Sequence, residues 1–153
     1  MTEQIRIMKQ LSPNDLGITG THQSGILVPK RAEILAALPQ LDPTVLNPRC
    51  TLELVDLATG VPENVSYIHY NNRITGGTRD EFRITGVTRY LREKAASPGD
   101  VLVLKTRDMM RYVVTVEAAS MNWGASASDG DFAGDREHIV RVSRDWIVGR
   151  KKS

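Results

Sequence analysis

A chain of 153 residues with 41% hydrophobic and 25% charged side chains carries enough apolar surface for one domain with its own core, which argues against disorder. Its formal charge of +2 is too small to mark a polyanion binder by its sum, and no apolar run is long enough for a helical membrane span. The single cysteine, Cys50, excludes an internal disulfide and a cysteine-rich zinc centre and points to a reducing, cytosolic setting; the opening residues MTEQIRIMKQL contain no signal-like apolar stretch.

Period-two alternation dominates, in short runs separated by turn residues. EQIRIMKQL places Ile5 and Ile7 on one face of a first strand. SGILVPK is a short strand stopped by Pro29, and KRAEILAALPQL is a brief amphipathic helix with Ile34, Leu35 and Leu38 inward, ending before Pro39. CTLELVDLATG and NVSYIHYN form a hairpin around Thr59 and Gly60. A strand at EFRIT, a helix at VTRYLREKA and a turn at SPGD follow. VLVLKT and RYVVTVEAA make another hairpin, Ser120 to Gly134 is a glycine- and serine-rich loop, and HIVRVSRDWIV is a last strand. Five or more strands with two short helices predict a mainly β fold, an open barrel with helices at its ends, as one domain over 1–153. The closing GRKKS, 149–153, reads as a linker or a tail touching phosphate.

Charge is segregated along this framework. From His69 to Lys94 the bases Arg73, Arg79, Arg83, Arg89, Arg92 and Lys94 outnumber Asp80, Glu81 and Glu93, whereas acids dominate from Ala125 to Glu137 and bases return after it. A polyanion on one face and a solvated, salt-bridged surface both account for this pattern.

The segment from Tyr70 to Gly86, YNNRITGGTRDEFRITG, invites three explanations. A phosphate cradle fails, because GGTRDEFR lacks the spacing and the lysine of a P-loop, and GITGTHQSG lacks the dinucleotide spacing. The doubled RITG is too closely spaced for a stacking repeat. The third is base reading: arginine bonds guanine O6 and N7 through its fork, and Asp or Glu accepts from cytosine N4, so TRDEFR holds both halves of a G·C reader. The acids could equally orient the arginines, or the whole could be a structural salt-bridge cluster. Catalytic alternatives are a hydrolase built on Asp15, His22 and Ser24, without a nucleophile elbow, and a metal-dependent nuclease using His22 with Asp80 and Glu81. Asp80 and Glu81 are adjacent and face opposite sides of a strand, which disfavours shared metal binding. His22, His69 and His138 are too scattered for zinc.

A second polar loop runs from Ser12 to Gly25, long for a hairpin. The two blocks KQLSPNDLGITGTHQSGILVPK and IHYNNRITGGTRDEFRITG resemble the N-terminal domain of EcoRII-like restriction endonucleases, whose second block has the form Tyr-Asn-x-Arg, a glycine-containing gap, then Thr-Arg-x-Glu-x-Arg-Ile-Thr. They occur in the same order and cover about a quarter of the chain. The family has a lysine at the positions of Gly77 and Phe82, and an aromatic residue at that of Leu27.

The resemblance implies a DNA-binding pseudobarrel of the plant B-three type whose N-arm and C-arm enter the major groove. It implies sequence-specific recognition of double-stranded DNA, as the target-recognition or effector-binding domain of a type II restriction endonuclease acting at a CCWGG-like site in a prokaryotic cytoplasm. It implies no catalysis and no cofactor here, with Mg²⁺ required only by a nuclease catalytic domain expected in the same polypeptide. Matched position by position, the N-arm holds His22, Gln23 and Ser24 with Asn14 and Asp15 at its base, and the C-arm holds Arg73, Thr78, Arg79, Asp80, Glu81 and Arg83. Arg79 and Arg83 are expected at guanines, Glu81 and Asp80 at cytosines or orienting arginines, His22 and Gln23 at N-arm bases, and Lys9, Lys30 and Arg73 at phosphates.

Overall fold

Among the described residues, ten strands hydrogen-bond into one curled sheet in the order β2-β5-β4-β3-β7-β6-β1-β10-β9-β8. The structure is a computed structural model and describes residues 3–18, 25–108, 110–119, 123, 130–131 and 137–152. The strands are β1 (Glu3–Gln10), β2 (Ile26–Val28), β3 (Arg49–Asp56), β4 (Pro62–Asn71), β5 (Asp80–Thr85), β6 (Val101–Asp108), β7 (Arg111–Glu117), β8 (Gly130–Asp131), β9 (His138–Arg141) and β10 (Trp146–Lys152). Two short helices, α1 (Ala32–Leu35) and α2 (Thr88–Glu93), complete the mainly β open half-barrel expected from the alternation. All pairings are antiparallel except β3 with β7.

The barrel interior is one cluster that includes Ile7, Ile26, Val28, Leu52, Leu54, Tyr67, Ile84, Leu91, Leu104 and Tyr112. Each fully buried side chain of this size contributes about 1.5–3 kcal/mol relative to exposure. A second cluster, Met8, Val101, Val103, Ile139 and Ile147 with Trp123 against it, lies on the other face of β1, β6, β9 and β10. The run Val101–Leu104 is therefore buried on both faces, which explains why it does not alternate.

Asp56 fixes the β3–β4 turn and the helix beside it. Its Oδ2 accepts from Thr59 N at 2.9 Å and from Lys94 Nζ at 2.8 Å, and its Oδ1 accepts from the Tyr90 hydroxyl at 2.6 Å. Burial pushes this carboxyl's pKa up, but donation from Lys94, Tyr90 and Thr59 outweighs it and holds the group well below the usual carboxylate range.

Several expectations are corrected. The first helix ends at Leu35, not beside Pro39: Ala37 and Leu38 continue in tighter turns, with N–H groups bonded three residues back, and the Tyr112 hydroxyl takes the Ala37 carbonyl at 2.8 Å. Pro39 disfavours helical backbone at Leu38. HIVRVSRDWIV is not one strand but the β9–β10 hairpin, turned at 142–145 by Ser143 and Asp145. The expected loop 120–134 contains β8, which pairs with β9. Residues 149–152 are neither linker nor tail but continue β10 alongside β1, with Glu3 opposite Lys152. A Cβ at Gly149 would come within 2.7 Å of the Glu137 carboxyl, which pairs with Arg6, so a side chain there would displace the end of Glu137.

Candidate nucleic-acid interface

The chain leaves β1 into a compact turn over 12–18. Asp15 Oδ2 accepts from Ser12 N at 2.9 Å, and Ser12 Oγ accepts from Asp15 N at 3.2 Å, a reciprocal cap like that of a helix start. Gly17 adopts φ 72°, allowing Ile18 N–H to reach back to the Pro13 carbonyl at 3.0 Å. Lys9 Nζ closes the turn from below by pairing with Asp15, and both side chains are 7% exposed. Asp15 therefore stands at the base of the first loop, and its charge and that of Lys9, expected at phosphate, are paired with each other inside the fold. His22, Gln23 and Ser24 lie outside the described residues. Ser12 and Asn14 line a cavity of about 320 Å³ with Leu27, Pro29 and Trp146. Leu27 stands opposite Arg83 in the β2–β5 register, so the base of the first loop adjoins the strand that carries the second.

The second loop connects β4 to β5 and is built on a cross-braced base. The buried Asn71 accepts from Asn47 N at 2.7 Å and donates to the Val45 carbonyl at 2.7 Å, while Asn47 Oδ1 accepts from Asn71 N at 3.3 Å. Beyond it, Asn72–Thr75 form a single 3-10 turn. Gly76 ends the turn at φ 88°, and Gly77 N donates to the Asn72 carbonyl at 2.9 Å. Arg73 and Thr78 are exposed, and Arg73 has no ion-pair partner among the described residues.

On β5 the period of two separates the acids as expected. Asp80 turns toward the His69 and Phe82 side: Oδ1 is 2.8 Å from His69 Nε2, and Oδ2 accepts from Lys30 Nζ at 3.0 Å. Bonding from His69 and then Lys30 lowers its pKa. His69 is half-buried and stacks on Phe82 with ring centroids 4.0 Å apart. Glu81 faces the other way, where Oε1 accepts from Arg79 Nε at 2.7 Å and Arg83 Nε at 3.0 Å. Partial burial raises the Glu81 pKa, and the bonds from Arg83 and Arg79 outweigh it, keeping the carboxylate ionised. The Arg79 guanidinium also lies 3.8 Å from the centroid of the Tyr70 ring.

The two arginines expected at guanines are not equivalent. Arg79 is nearly half exposed, but Arg83 is 5% exposed between Leu27 of β2 and Ile68 of β4. Arg83 thus lies beneath Glu81, to which its Nε donates at 3.0 Å. Lys30 remains half exposed while bonded to Asp80. The sequence did not single out roles for Tyr70 or Asn71, although both belong to the Tyr-Asn-x-Arg block. No group of three or more His, Cys, Asp or Glu gathers among the described residues in a way that could hold a metal ion. Among the described residues no helix is long and apolar enough to cross a membrane.

Comparison with known proteins bears on this geometry. The chain is 38% identical over 80 residues to the Type II restriction enzyme EcoRII of Escherichia coli, an alignment covering 51% of this chain but 20% of that enzyme. The fold is similar to that in the Arabidopsis FUS3-DNA complex, with TM-score 0.56 and 18% identity, covering 74% of this chain and 96% of that one. It is similar also to the B3 domain of the UbaLAI restriction endonuclease solved with cognate DNA, with TM-score 0.56 and 15% identity, covering 98% of this chain and 89% of that one. At such identities the likeness speaks to the fold, a B3-type pseudobarrel. The family model described as Restriction endonuclease EcoRII, N-terminal, matches residues 2–111. Most of the chain lies within that match, and it belongs to the EcoRII N-terminal domain family of restriction endonucleases.

Proposed function

We propose that this domain binds double-stranded DNA sequence-specifically, with the loops after β1 and β4 acting as two arms in the major groove. It serves as the target-recognition or effector-binding part of a type II restriction endonuclease. The observation that carries this reading is Arg79, an exposed guanidinium fixed by a carboxylate and an aromatic ring at the end of a braced loop. Non-specific phosphate binding has no use for acids beside the arginines, whereas a base reader needs its fork held before DNA arrives.

In this reading Arg79 reads a guanine, and Glu81 with Arg83 behind it orients the fork. Asp80, bonded on both oxygens, ties β5 to β4 and to Lys30. Arg73 and Lys30 meet phosphate, and His22, Gln23 and Ser24 supply the other arm's contacts. A nuclease catalytic domain in the same polypeptide does the cutting and is the part that needs Mg²⁺.

The test is selection of bound duplexes from a random pool, beginning with a CCWGG-like site as a competitor. Arg79→Ala should lose about 1–3 kcal/mol of preference for the selected site with little change on random duplex. Equal losses on both would refute the assignment. Incubation of the domain with plasmid and Mg²⁺ should give no cleavage; cutting that disappears in Glu81→Gln would overturn the non-catalytic reading.

A further inference from the structure

A guanidinium can be held at its planar face, at the edge formed by Nε and Nη2, and at the end formed by Nη1 and Nη2. At Arg79 the face lies on the Tyr70 ring at 3.8 Å. The edge is taken by Glu81, whose Oε1 is 2.7 Å from Nε and 2.7 Å from Nη2. The end remains, with no partner at Nη1 among the described residues, and an arginine end is a fork that matches guanine O6 and N7.

Glu81 by itself does not define where that end points. A single carboxylate oxygen at one edge leaves the guanidinium free to tilt about the contact, and the same oxygen is shared with Arg83 Nε. The ring removes this freedom, because a cation is attracted to the centre of the aromatic face and sliding or tilting off it costs energy. The ring is itself set by the sheet: Tyr70 stands directly opposite Glu81 in the β4–β5 register, and Arg79 is the residue two before Glu81 on the same face. Tyr70 also precedes the braced Asn71, so its backbone is fixed on both sides.

We infer that Tyr70 is a positioning residue for base reading: it acts through Arg79 and sets the angle at which the fork meets guanine. The inference rests on the reading that Arg79 meets a guanine. It implies that the ring face matters and the hydroxyl does not.

The experiment measures the whole domain and its Tyr70→Phe, Tyr70→Leu and Arg79→Ala variants by competition on three kinds of duplex. These are the selected site, the same site with 7-deazaguanine at each guanine in turn, and a random duplex. The modified base keeps Watson–Crick pairing and lacks N7. The parent should lose about tenfold at one guanine, and Arg79→Ala should be indifferent there. Tyr70→Phe should keep the parent's penalty; Tyr70→Leu should reduce it to less than about threefold while holding random-duplex affinity. If Tyr70→Leu melts early, Tyr70→Val, suited to a strand, replaces it. A full penalty in a folded aliphatic variant overturns the inference and leaves Arg79 as reader. A penalty that survives in Arg79→Ala, or none at any guanine in the parent, overturns both.

Discussion

Replacing Asp15 with alanine decides whether Lys9 is a cation facing the groove or one sealed in the fold. Both side chains are 7% exposed and bonded to each other. Without the carboxylate, Lys9 Nζ keeps the Gln10 carbonyl at 3.0 Å, and Ser12 N–H loses its side-chain acceptor. A buried charge stripped of its partner costs about 3–5 kcal/mol, and the lost cap adds about 1 kcal/mol. Asp15→Ala should therefore lose roughly 4–6 kcal/mol, a large part of the total stability of about 5–15 kcal/mol usual for a domain. The double variant Lys9→Met/Asp15→Asn removes both charges while keeping an acceptor for Ser12, and should stay within about 1 kcal/mol of the parent. Urea unfolding followed by the fluorescence of the buried Trp146 measures both. A loss below about 1 kcal/mol for Asp15→Ala would refute the reasoning, because a hydrated lysine behaves as a surface pair does. The double variant also settles function: its log–log salt slope on DNA should match the parent's, and a slope smaller by about one would return Lys9 to the phosphate contacts.

Asn71→Ala removes the brace under the C-arm and should cost about 2–3 kcal/mol by urea titration, with hydrogen exchange rising at Asn47 more than in β7. Equal protection at Asn47 in both proteins would mean that the brace does not hold the loop. Asp56 predicts an acid limb: its folded pKa lies below its unfolded value of about 4, so the unfolded chain binds more protons and stability falls as pH drops through that range. Asp56→Asn should be less stable at pH 7 and should show a flatter loss between about pH 4 and pH 2; an unchanged acid limb would assign that loss to other carboxylates.

The barrel was legible because half-buried strands write their burial into every second residue. That rule located β3, β4, β5 and β7, and it sent Asp80 and Glu81 to different partners. It misjudged what lies on both sides of a strand. Ile7 packs into the interior and Met8 into the second cluster, whose partner Trp123 comes from a stretch that reads as polar loop. The resemblance also placed Arg79 and Arg83 together at guanines, yet Arg83, opposite Leu27 and Ile68 of two other strands, is 5% exposed, a burial that β5 alone does not record. Lys9 with Asp15, and Asn47 with Asn71, are pairings created by turns whose closure depends on distant packing. The charges of the β4–β5 loop were visible in sequence, whereas the ring against Arg79 and the Asn47–Asn71 brace became visible only through register.

The pairing of Glu3 with Lys152 brings both described ends of the chain to one place, seven residue steps along β1 from Gln10. At about 3.3 Å per residue that is roughly 23 Å from the base of the first arm. A tether, a fluorophore or a surface anchor attached at either end therefore emerges from the same corner, away from that base. A short peptide joining the two ends, with the chain reopened at the exposed Gly60 turn, should preserve the sheet order and both arms in a circularly permuted domain.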